Sequence, residues 1–133
     1  MRVKIGPYPD YYYWLDRLFG WKPKQKIRVR IDPHDTWSMD HTLAMIIHPM
    51  LVQLKATTHG YPSGLTEESW NQILDEMIWA FGQKAKEIDA GDICADKCSN
   101  FSDPACKECM QETQERLTNA FKLFGEYYEN LWD

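Results

Sequence analysis

The stretch "LTEESWNQILDEMIWAFG", residues 65–82, decides the fold. Thr66 is a capping residue at the head of an apolar-periodic run, and Glu67 and Glu68 follow where a helix dipole favours acids. Gly82 stands where such a helix would stop. Trp70, Ile73, Leu74, Met77, Ile78 and Phe81 recur at helical spacing and form one stripe. Opposite the stripe lie Gln72, Asp75 and Glu76 with Trp79 among them. A tryptophan on a polar face marks a contact, either with another part of the chain or with another molecule.

The same periodicity recurs on either side. "DTWSMDHTLAMIIHPMLVQL", residues 35–54, predicts a helix from Thr36 or Ser38 to about Thr57, with Asp35 and Thr36 as candidate caps. Met39, Leu43, Ile46, Ile47, Met50 and Leu54 share its expected core face, Asp40 stands at that face's edge as a candidate buried carboxylate, and His41 and His48 share the opposite side. Pro49 removes a backbone hydrogen bond and should bend the helix. "QETQERLTNAFKLFGEYYENLW", residues 111–132, gives a last helix with Leu117, Ala120, Phe121, Phe124, Tyr128, Leu131 and Trp132 on its buried side. A short helix is expected from about Tyr11 to Phe19. "RVKI" and "KIRVRI" alternate charged and branched apolar residues, as half-exposed strands do. The expected fold is mostly α, a small helical bundle of three long helices and one short, with a short N-terminal β-ribbon, in a single domain over residues 1–133.

The net charge of −5 argues against a general nucleic-acid binder, which needs a basic footprint. A local basic pocket for a small anion is still available, because Arg17, Lys22, Lys24, Lys26, Arg28 and Arg30 are packed together while the C-terminal half is acidic. Aromatic residues make up 14% of the chain, more than one small core needs, which points to an aromatic binding face. No run is long and apolar enough to span a membrane, and "MRVKIG" lacks the apolar core of a signal peptide, so a cytosolic protein is expected.

All four cysteines, Cys94, Cys98, Cys106 and Cys109, fall in "CADKCSNFSDPACKEC", inside a cysteine-rich loop expected at about 91–110. Two short pairs in one loop can supply the four soft ligands of a structural zinc ion. Free thiols and two disulfides are the rivals, and a cytosolic chain would disfavour the disulfides. Four thiolates leave no open coordination position, so a zinc ion here would staple rather than catalyse. Glu112 and Glu115 form an E-x-x-E step and Asp75 and Glu76 lie on another helix, the kind of set that holds magnesium in all-helical nucleotide hydrolases, although such pairs are usually solvated surface. No nucleophile motif or phosphate loop occurs.

Three segments, "VRIDPHDTWSMDHTLAMIIHPMLVQLKATTHGYP", "WNQILDEMIWAFG" and "ERLTNAFKLFGEYYENLWD", resemble a family of small tailed-bacteriophage proteins. The shared motifs are R-I-D-x-x-D-T-W-x-M-D-x-T-L, L-D-E-M-I-W-A-F and L-F-G-x-Y-Y-x-x-L-W-D, in that order, and the cysteine segment lies outside them. The resemblance implies a phage protein made in the host bacterial cytoplasm and carries no activity with it. Its motif residues here include Arg30, Asp32, Asp35, Trp37, Asp40, Asp75, Glu76 and Trp79.

Joined to the phage resemblance, which implies a counter-defence role, these residues suggest a non-enzymatic binding protein that sequesters a small nucleotide-type immune signal, with a homo-oligomer as the expected state. Arg28 and Arg30 would hold phosphate, and Asp32, Asp35, Trp37, Asp40 and His41 would crowd the junction of the basic strand with a helix start. Asp75, Glu76 and Trp79 complete the candidate set. The alternatives are a module that binds a host protein and a magnesium-dependent nucleotide hydrolase.

Overall fold

The computed structural model describes residues 2–4, 13–20, 26–98 and 103–132. In chain order these form β1 (Arg2–Lys4), α1 (Tyr13–Phe19), β2 (Arg28–Arg30), a 3-10 turn (Pro33–Thr36), α2 (Met39–Thr57), α3 (Glu67–Ala85), α4 (Ala90–Cys94), a 3-10 turn (Ala95–Lys97), α5 (Pro104–Glu126) and a closing 3-10 turn (Tyr128–Asn130). The fold is mostly helical, with three long helices and a short antiparallel ribbon near the N-terminus. The chain falls into two compact units, residues 1–39 and 40–133, where the sequence suggests one domain.

Within the first unit, β1 and β2 pair antiparallel with Arg2 opposite Arg30, Val3 opposite Val29 and Lys4 opposite Arg28. The turn that follows is closed by a capping box. Asp32 accepts from the His34 amide, and Asp35 accepts from the Asp32 amide at 2.7 Å.

In the second unit α3 is the central element. Thr66 and Ser69 close its N-terminus by a reciprocal capping box, as the sequence suggests for Thr66. Trp70, Leu74 and Met77 are buried, the last two completely. Ala44 and Leu51 of α2 join them in one core cluster, and Phe121, Phe124 and Tyr127 pack against it from the other side. A second cluster unites Ala80 of α3 with Leu117 and Ala120 of α5. Phe81 meets Phe121 and Phe124 edge to face, and Trp70 meets Tyr127 in the same way, so α5 runs antiparallel to α3.

Several local expectations give way to packing. Gly82 does not stop α3, which runs on to Ala85. A Cβ at Gly82 would lie 3.1 Å from His48 Nε2, so the glycine admits the His48 ring of the neighbouring helix. The expected core face of α2 is only half right: Ile47 and Leu54 pack inward, whereas Met39, Leu43 and Met50 are exposed. The inward row is His41, Ala44, His48 and Leu51, because α3 lies on the histidine side. Pro49 is carried inside one continuous α2. The last helix begins at Pro104, well before Gln111, and ends at Glu126, which leaves Tyr128 and Trp132 exposed rather than buried.

Gly82→Ala removes an entropic penalty of about 1 kcal/mol for glycine in a helix but crowds His48. In a double-mutant cycle read by chemical denaturation, Gly82→Ala is expected to stabilise a His48→Ala background more than it stabilises the native one. Additive effects would show that the ring does not constrain this position.

Candidate functional site

The expected cluster at the strand-to-helix junction divides between the two units. Arg28, Arg30, Asp32, Asp35 and Trp37 belong to the first and Asp40 and His41 to the second.

In the first unit, alternation along the strands and the observed register put Arg2, Arg28 and Arg30 on one face of the ribbon, with Val3 and Val29 on the other. All three arginines are exposed, and none makes an ion pair among the described residues. Like charges directly opposite each other weaken a ladder rather than support it. Trp37 is 84% exposed and touches only the edge of His34 among described rings, with centroids 5.6 Å apart. Asp32 and Asp35 serve the capping box of the turn.

Asp40 is exposed, which corrects the expectation of a buried carboxylate. The His41 amide, and next the Lys84 ammonium 3.3 Å away, hold it below the usual carboxylate range. His41 Nδ1–H donates to the Lys84 carbonyl at 3.0 Å, beside the Glu87 amide that the same oxygen accepts at the end of α3. Both residues therefore tie the start of α2 to the end of α3. The opposed helix dipoles favour that arrangement of an acid at a start and a cation at an end.

The α3 candidates are likewise engaged. Lys55 of α2 donates to Asp75. Arg116 of α5 donates from Nε and from a terminal nitrogen to the two oxygens of Glu76, both at 2.8 Å, and its guanidinium lies 3.9 Å from the centre of the Trp79 ring. The planar guanidinium suits both partners at once, bidentate to the carboxylate and stacked on the ring. Glu112 and Glu115 line a shallow depression with Glu76 and Arg116, while Asp75 is tied elsewhere, to α2. Sequence reading missed Lys55, Lys84 and Arg116.

The four cysteines, expected to gather zinc, are paired as Cys94–Cys109 and Cys98–Cys106. They do not sit in a loop: Cys94 ends α4, Cys98 follows the 3-10 turn, and Cys106 and Cys109 lie in the first turns of α5. Among the described residues no group of three or more histidine, cysteine or acidic side chains gathers as a metal centre.

An apolar concavity was not foreseen. It is a groove of about 770 Å³ between α2 and the C-terminal turn, lined by Ile47, Met50, Leu54, Phe124, Tyr128 and Trp132 among others, with no charged side chain. No described helix is long and apolar enough to cross a membrane. Comparison with family models, with curated proteins and with solved structures returns no match to this chain.

The Arg116 guanidinium holds the Glu76 carboxyl below its ordinary value. A lowered folded-state pKa means that the pair's stabilisation is complete above the unfolded glutamate value, about 4.3, and is lost as pH falls through the folded one. Both partners are partly exposed, so Glu76→Gln is expected to cost no more than about 1 kcal/mol at pH 7. Thermal melts should show that difference shrinking below about pH 4; a difference that persists unchanged in acid would contradict the ion-pair assignment.

Proposed function

We propose that this is a binding protein without turnover, which captures a small phosphate-bearing ligand of the nucleotide type on the arginine face of its ribbon. The observation that carries the reading is the register of β1 and β2, which sets Arg2 against Arg30 and adds Arg28 on the same face, none of them in an ion pair with a described residue. A phosphate accepts paired hydrogen bonds from guanidinium groups and removes their mutual repulsion. The exposed Trp37 of the same unit offers a face for stacking a base. In contrast, Asp75 and Glu76, the α3 acids a magnesium-dependent hydrolase would use, are held by Lys55 and Arg116. In a bacteriophage setting, which the sequence resemblance suggests, such capture would withdraw a nucleotide immune signal from the host cytoplasm, with a homo-oligomer enlarging the basic face.

The test is to incubate the protein with linear and cyclic nucleotides, separate it from free ligand, and assay the ligand after heat denaturation. Capture followed by intact release is expected, weaker at high salt and weaker by roughly tenfold or more in Arg28→Glu and in Arg30→Glu. Conversion of the nucleotide would indicate an enzyme instead, and absence of capture would overturn the proposal.

A second reading rests on the apolar groove. Met50, Tyr128 and Trp132 are each more than half exposed around it, a surface suited to the apolar face of a helix in a host protein. Binding of that kind would be insensitive to the ribbon arginines and would fail in Trp132→Ala.

A further inference from the structure

We propose that the four cysteines form a redox-gated zinc site, in which one cluster of sulfur atoms staples α4 to α5 either as two disulfides or, once reduced, as a tetrathiolate around one zinc ion. Both disulfides run between the same two segments, the end of α4 with its 3-10 turn and the start of α5. The pairing is nested, Cys94 with Cys109 and Cys98 with Cys106, and within each segment the two cysteines are about one helical turn apart. Both bridges therefore lie along one seam between the two segments. Within the two bridges the Cα separations are 6.1 and 4.9 Å, so the two segments stay close together along the seam. Zinc–sulfur bonds of about 2.3 Å put the sulfurs of a tetrahedral site about 3.8 Å apart, a spacing that side-chain rotation can supply from a disulfide.

The exposure pattern gives each bridge a point of attack. Cys94 and Cys106 are completely buried, while Cys98 and Cys109 are each partly exposed. Cys98 opens onto a depression that Asp89 and Asp92 also line, so an entering cation meets negative charge. A dithiol reductant attacks Cys98 with one thiolate, the S–S bond breaks, and Cys106 leaves as the thiolate. The reductant's second thiolate then displaces Cys98 and departs as a cyclic disulfide, having delivered two electrons. The same sequence at Cys109 frees Cys94. Four thiols then bind one zinc ion and release four protons, giving a site with no open position, which holds structure rather than catalyses. The cytosol keeps thiols reduced, so zinc would preserve there the staple that disulfides provide in oxidising surroundings.

The test uses the whole chain, reduced by a water-soluble phosphine (which becomes the phosphine oxide and does not compete for metal as a dithiol would), then titrated with Co2+ and afterwards Zn2+ without oxygen. The reduced chain is expected to take up one Co2+ with the visible bands of a tetrahedral tetrathiolate, which Zn2+ bleaches, and the oxidised chain is expected to take none. Zinc should also raise the melting temperature of the reduced chain. Cys98→Ser, at a partly exposed position, should alter the cobalt spectrum while the helical circular dichroism is kept. Cobalt uptake that is absent after reduction, equal in the oxidised chain, or spectrally unchanged in Cys98→Ser would overturn the proposal.

Discussion

The second unit depends on the burial of α3 against two neighbours at once. Leu74 and Met77 lose all contact with solvent because α2 covers one side of the helix and α5 the other. Truncating either to alanine would remove several methylene groups from a filled interior, typically at a cost of 2–5 kcal/mol. Polar groups at the rim of that contact are matched across the same seams. Asp75, Glu76 and the terminal carbonyl of Lys84 are each met by a group from a neighbouring helix, Lys55, Arg116 and His41 respectively. These partly exposed contacts add a modest geometric preference to the packing of α2 and α5, while burial supplies most of the stability.

That role changes the meaning of the motif residues. Asp75, Glu76 and Trp79 stand off the main apolar stripe, and in sequence such residues resemble a site. In the folded chain Arg116 spans Glu76 and Trp79, and Trp79 is half covered beside Ala80 and Leu117. They bind, but what they bind is this chain. The cations of the ribbon differ: Arg2, Arg28 and Arg30 face the same way with no described acid to neutralise them. Charge paired between helices ties them to one another, whereas the ribbon arginines, unpaired with any described residue, are the cations we propose for a ligand.

The sequence was most legible where the determining physics is local. Thr66 marked the start of α3 because a cap needs only its own first turn, and the alternation of "RVK" and "RVR" marked two strands. Legibility failed where the determinant lies on another element. Gly82 reads as a stop until the His48 ring is placed against it. His41 and His48 read as an outer face because a hydropathy pattern scores imidazole as polar, although one donates to a helix end and the other packs on a glycine. Tyr128 and Trp132 continue the buried stripe only if α5 continues, and it ends at Glu126. Cysteine spacing left zinc, free thiols and disulfides open, because spacing does not carry the pairing. The arginine face required the register, since one residue of slip would oppose arginine with valine.

The central claim, that the ribbon holds the ligand while the acids and tryptophan of α3 hold the helices, is most directly tested by mapping nucleotide-induced chemical-shift changes in the isotopically labelled protein. Changes are predicted at the backbone amides of Arg28 and Arg30 and at the Trp37 indole, with the Trp79 indole and the Glu76 amide undisturbed. Shifts centred on Trp79 and Glu76, or their absence from the ribbon, would contradict it.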